Sequence, residues 1–158
     1  MVFRASSAAA VFAFAAAIAG TAQAQTDRPH FGPRISYQFD LEELGVGAQL
    51  GVPLARHLEF YPSFDYFFVD NGSFWNLNAD LKYRIANASA NWLYLGGGLN
   101  IARRGSSGSH NTGAGLNLFV GAEPLKGRVH PFAEFRFIAN DGSTGMLAAG
   151  LNFTLGRH

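Results

Sequence analysis

The chain of 158 residues contains no cysteine. That excludes disulfides and a lipid-modified cysteine anchor, so an exported domain of this kind must draw its stability from elsewhere. Lysine is scarce, with Lys82 and Lys126 the only two. Charged residues make up 15% of the chain, against about 25% in typical soluble domains. After residue 24 no apolar run approaches the about 20 residues a membrane helix needs, and no segment sustains a helical period. The five histidines, at 30, 57, 110, 130 and 158, show no metal-ligand spacing, so no metal or other cofactor is expected. Gly96-Gly97-Gly98 lies inside an alternating segment, not between a strand and a helix, which excludes a phosphate-cradling loop.

What is present begins with a secretory signal. Arg4 and the amino terminus precede an apolar run from Ala8 to Ala19, followed by Ala22-Gln23-Ala24. This is the small-x-small pattern read by signal peptidase, and cleavage is expected between Ala24 and Gln25. The run is too short to span a membrane as a helix. Residues 25–158 then form one domain. Of 12 Lys and Arg, removal of Arg4 leaves 11, against 11 Asp and Glu. Without a basic excess, a nucleic-acid partner is not expected.

The whole chain is rich in Gly (19) and Phe (15), and eight segments of that domain alternate with period 2. They are Arg34–Phe39, Leu44–Gly51, Leu58–Phe68, Trp75–Ile85, Trp92–Ala102, Gly113–Glu123, His130–Ile138 and Gly145–Leu155. In the fourth, Trp75, Leu77, Ala79, Leu81, Tyr83 and Ile85 alternate with Asn76, Asn78, Asp80, Lys82 and Arg84. Such alternation marks strands with two unlike faces. Pro62 interrupts the third segment and predicts a bulge or a break in pairing. Gly-Leu-Asn recurs at 98–100, 115–117 and 150–152, each time with Leu on the apolar face. Turn-forming residues separate the segments, so neighbours are expected to be antiparallel hairpins. The stretch Arg103 to Thr112 reads as the longest loop.

Alternation fits two opposite barrels. A soluble, lipocalin-like binder of an apolar ligand turns its apolar face inward; a membrane barrel turns it toward lipid. Eight strands leave an interior just wide enough for side chains to fill. The polar face carries Gly45, Gly47, Gly51, Gly96, Gly98, Gly115, Gly121 and Gly150 with Ser and Asn, which suit a crowded lumen. The other face carries Leu, Phe, Tyr and Trp, and with two lysines the chain has little to solvate an outer surface. The reading is an all-β, eight-stranded, antiparallel, up-and-down transmembrane barrel. Phe39, Phe68, Trp75 and Tyr83 would serve as interfacial girdles.

With its signal sequence, eight amphipathic strands and mature length, the chain resembles the small outer-membrane barrels of the OmpA and OmpX kind, over nearly the whole mature chain. Members often end on an aromatic residue; here the last alternating residues, Leu151, Phe153 and Leu155, are followed by Gly156-Arg157-His158. The resemblance implies both termini in the periplasm, extracellular loops longer than the periplasmic turns, and insertion by the barrel-assembly machinery. It also implies a monomer in contact with outer-membrane lipid and lipopolysaccharide. Inward positions hold Arg34, Lys82, Arg84 and Arg136 with Glu59, Asp65, Asp80, Glu123 and Glu134. Charges in so narrow a lumen are expected to interlock in an ionic and hydrogen-bonded network that plugs it, with an ion or proton path as the other reading.

Two further readings concern chemistry. Lipid A deacylases are small outer-membrane barrels with a Ser-His-Glu triad, carrying His-x-Ser and a Glu further along. His110-Asn111-Thr112 ahead of Glu123 is similar, with Thr in place of Ser. A polar loop is the simpler account of these residues. Arg103 and Arg104, with His110 in the same stretch, form a basic surface suited to lipopolysaccharide phosphates or an acidic partner. The expected role is structural or interactive rather than enzymatic.

Overall fold

The structure is a computed structural model that describes residues 28–70, 72–85, 92–106, 108–140 and 142–156. The predicted signal sequence, residues 1–24, lies outside the described residues, as does the stretch 86–91. Eight strands follow one another: β1 (His30–Gln38), β2 (Glu43–Ala55), β3 (Leu58–Phe67), β4 (Gly72–Arg84), β5 (Leu93–Ser106), β6 (Ser109–Ala122), β7 (Val129–Ala139) and β8 (Ser143–Thr154). Each pairs antiparallel with its sequence neighbour, and β1 pairs with β8 to close the barrel. Closure leaves no edge strand along the wall, so backbone donors and acceptors satisfy one another around it.

Every strand buries alternate residues. In β7 the sequence His130–Ala139 alternates without a break, with Phe132, Glu134, Arg136 and Ile138 buried and Ala133, Phe135 and Phe137 exposed. The buried side is the lumen, and it is largely polar: Arg34 is 2% exposed and Arg136 0%. Leucines on the outer side are bare, with Leu118 at 68% and Leu116 at 62%. The apolar face therefore points outward on all eight strands, the reverse of a lipocalin-like binder. Outward aromatics gather at the two ends of the wall. Phe39, Phe68 and Trp75 lie at one end, and Tyr83 and Trp92 at the other.

Pro62 does not shift the register. It pairs with Ala79 of β4 in an unbroken ladder, although the β2 ladder has no partners opposite Tyr61 and Pro62. That gap is the local break in pairing expected at Pro62, while the register shift lies between Pro53 and Ala55, next to the turn at 56–57, where His57 takes a left-handed conformation (φ 67°).

The stretch from Arg103 to Thr112 is not a loop. Arg103–Ser106 continue β5 and Ser109–Thr112 begin β6, paired through Arg103↔Thr112 to Ser106↔Ser109. Between these two strands Gly108 (φ 90°) supplies the left-handed residue that so tight a reversal needs. The extension has support on one side only: β4 follows β5 up to Gly72↔Ser106, while β7 leaves β6 at Leu116↔Ala139. The connections at this end, 39–42, 68–71, 107–108 and 140–142, are all short. The longest ones, 85–92 and 123–128, lie at the end that also holds Pro29 and Leu155. On the topology implied by the resemblance, the extracellular loops are thus the shorter set, against the expectation of longer ones.

Candidate functional site in the lumen

The pleat aims every second side chain at the barrel axis, and the interior is built from the resulting layers. Near the end that carries Gly108, Phe67, Phe74, Ile138 and Met146 form a buried apolar cluster. Toward the opposite end Tyr61, Tyr94 and Phe119 form a second. Between and around them run the charges. Arg34 Nε lies 3.0 Å from Asp65, which also accepts a 2.5 Å hydrogen bond from Ser36. Arg136 reaches Asp80 of β4, three strands away, and Glu134 at 2.8 Å. Its guanidinium sits over the Phe119 ring at 4.5 Å. The Lys82 ammonium lies between the rings of Tyr61 and Tyr94 and bonds Glu123 at 2.8 Å and Glu59 at 3.4 Å. Arg84 bonds Glu123 at 3.2 Å.

Amides join the charged groups. Asn78 accepts from Asn100 (2.7 Å) and Asn117 (2.9 Å), and Asn117 also donates to Asp80 (2.9 Å). Tyr94 donates its hydroxyl to Glu134 (3.0 Å), and Asn152 donates to Glu123 (3.1 Å). All nine charged residues read from the sequence as inward, Arg34, Glu59, Asp65, Asp80, Lys82, Arg84, Glu123, Glu134 and Arg136, take part in ion pairs here.

The lumen glycines have partners as well. Gly96 pairs across strands with Phe119 and Gly121 with Tyr94; a Cβ at either glycine would run into the opposing ring. Gly45 stands opposite Phe67 and Gly150 opposite Phe132 in the same way. A row of glycines thus makes room for rings that lean across from the next strand, a pairing known to steady β-sheets. Alternation places these glycines inward, but it fixes only the parity of each strand and not its register, so it cannot say which ring each one faces. The inward apolar residues Phe67, Phe74, Ile138 and Met146 were missed for a different reason: they lie at strand ends, where apolar residues read as the outer face or as turn flanks.

The residues considered for catalysis do not meet. His110 and Thr112 lie at the start of β6 and Glu123 just past its far end. Thirteen residues of strand separate His110 from Glu123, roughly 40 Å at about 3.3 Å per residue. Parity also sets them on opposite faces: His110 is exposed, while Glu123 is fully buried among Lys82, Arg84 and Asn152. A triad needs hydrogen-bond contact between base and orienting carboxylate, and this arrangement supplies none. Arg103 and Arg104 are on β5, with Arg103 on the outer face between Trp75 and Thr112 and Arg104 over the Phe74 ring at 5.4 Å. Among the described residues no group of three His, Asp or Glu is placed to hold a metal.

A cavity opens at each mouth. The one of about 370 Å³ beside the hairpin turns is lined by Gln38, Asn76, Asn100, Arg104 and Asn140. The other, about 480 Å³, lies at the opposite mouth among Arg28, His30, Arg56, Glu59 and Glu123.

A closed eight-stranded antiparallel barrel, apolar outside and charged within, defines the class: the fold is that of the small outer-membrane β-barrels. Comparison with solved structures agrees. The N-terminal β-barrel domain of Pseudomonas aeruginosa OprF superposes with a TM-score of 0.66 at 13% identity, over 80% of this chain and 96% of that one. Neisserial surface protein A gives 0.59 at 17% identity, over 81% and 95%. A de novo designed barrel, TMB2.3, gives 0.51 at 12% identity, over 85% and 99%. No protein-family model and no curated protein matches the sequence.

Proposed function

We propose that this chain is an integral outer-membrane barrel, exported by its signal sequence, that serves as a scaffold or contact surface and does not conduct. One observation carries the reading: the apolar face is outermost on all eight strands, and the charges are folded inward. In water such a surface would expose Leu, Phe and Val over the whole wall, far beyond the few hundred Å² of contiguous apolar patch that soluble monomers carry. In a bilayer the same wall faces lipid, the aromatic residues at its ends sit at headgroup level, and Arg103 beside Trp75 is placed to meet lipid phosphates. The ion pairs and rings across the lumen support a plug. Separation of His110 from Glu123 weighs against lipid A deacylation.

Fractionation of cells expressing the chain tests the location. We expect recovery in the outer membrane, with detergent needed for release and an amino terminus at Gln25. Recovery in the soluble periplasm would overturn the reading. Planar-bilayer recording tests the plug: the expected result is no stable conductance, and a reproducible, ion-selective one would refute it.

A further inference from the structure

The two mouths of the barrel differ in charge. At the end holding Gly108, Asp40, Glu42, Glu43 and Asp70 face only Arg103 and Arg104 among the described residues. At the other end Arg28, Arg56, Lys82, Arg84, Lys126 and Arg128 face only Glu59 and Glu123. Both of those carboxylates are already engaged. Glu59 bonds His30 and Lys82, and Glu123 bonds Lys82, Arg84 and Asn152. Arg28 and Arg56, exposed on the rim of the 480 Å³ cavity, have no ion pair among the described residues. His30 lines the same cavity, is 5% exposed, and has an Nδ1 without a hydrogen-bond partner. His57 and His130 complete the basic wall.

From this we infer that the mouth beside Pro29 and Leu155 is a binding site for a phosphate group, held between the Arg28 and Arg56 guanidiniums over the imidazole-lined cavity. Guanidinium forks match the oxygens of a phosphate in pairs. The two guanidiniums of Arg28 and Arg56, without an ion pair among the described residues, match the charge of about −1.5 to −2 that a phosphate monoester carries near pH 7. A cleft with low-dielectric walls concentrates that field and draws in anions of the matching charge. The site depends on the closed barrel and its mouth, not on the membrane reading.

The test uses the whole mature chain folded in neutral detergent micelles, with inorganic phosphate as the probe and chloride at matched ionic strength as the control. Amide shifts should be saturable and confined to the region of Arg28, Arg56, His57 and Gly127. In the Arg28→Gln/Arg56→Gln variant the apparent affinity should fall at least tenfold, with the circular dichroism of the barrel unchanged. The Arg56→Gln single variant, expected to show an intermediate loss, serves if the double variant does not fold. Arg104→Gln at the other mouth should leave binding intact. Adding phosphatidylglycerol to the micelles separates the sources: displacement of phosphate assigns a lipid headgroup, and no displacement assigns a soluble phosphate or phosphate ester. Absence of saturable shifts, equal shifts with chloride, or unchanged affinity in the arginine variants would overturn the inference.

Discussion

Arg136 holds together three strands' worth of lumen. It is fully buried, bonds Asp80 and Glu134, and stacks over Phe119. Removing it would leave Asp80 buried without its counter-charge and Glu134 with Arg34 alone, at 3.7 Å. Arg136→Met should therefore cost about 3–5 kcal/mol, read by reversible urea unfolding of the barrel in lipid vesicles. If the cost is the unpaired charge rather than lost packing, adding Asp80→Asn should recover part of it; an unchanged loss in the double variant would refute that assignment. The glycines make an opposite kind of test. Gly121→Val pushes a branched side chain into the Tyr94 ring, and overpacking of this kind should cost about 1–3 kcal/mol in the same assay. At this scale the sequence was informative about direction and silent about partnership. Asp80 and Arg136 are both legible as inward, but they are 56 residues apart, and only the register of the closed barrel brings them together.

The β5–β6 hairpin shows where reading of elements from sequence stops. Its tip is Arg-Gly-Ser-Ser-Gly-Ser-His (104–110), a composition that belongs to loops on propensity. Residues 104–106 and 109–110 are nevertheless strand because each half lends the other a ladder, and β4 extends that ladder on one side. Tertiary pairing overrides local preference here. The other side is open, since β7 ends at Ala139 opposite Leu116. Backbone groups there have water as their alternative partner. We expect the amides of β6 from Ser109 to Ala114 that point toward β7 to exchange with deuterium markedly faster than those from Leu116 to Ala122. Uniform protection along β6 would show that something further covers that edge. In the rest of the wall the pattern of period 2 sufficed, because a one-residue slip would turn every leucine inward and every charge outward.

For the whole molecule, the decisive quantity is the sign of the radial gradient in polarity. Leu99 lies mid-strand on the outer face, 61% exposed, between Ala79 and Leu116. In a bilayer Leu99→Arg should cost about 2–4 kcal/mol, whereas on a wall facing water it would cost nothing. The lumen change Asn78→Ala should be milder than Leu99→Arg, measured by the same unfolding assay in vesicles. Equal, negligible effects at Leu99 and at other outward leucines would refute a lipid-facing wall. Residue size and the two lysines made this gradient readable in the sequence. The opposite charges of the two mouths were not, because they depend on which turns share an end.

The seam between β1 and β8 has a kinetic consequence. Pairs such as His30↔Thr154 and Gln38↔Met146 join positions more than a hundred residues apart, and Leu155 donates to the carbonyl of Pro29 at 2.8 Å. Every other ladder can form from neighbouring hairpins, but this one requires the last strand to be delivered to the first. Non-local closures of this kind are slow to nucleate, and a chain caught before it carries two open edges ready to pair with another copy. The window before the seam shuts is thus the one in which the chain most needs to be held apart from its own kind.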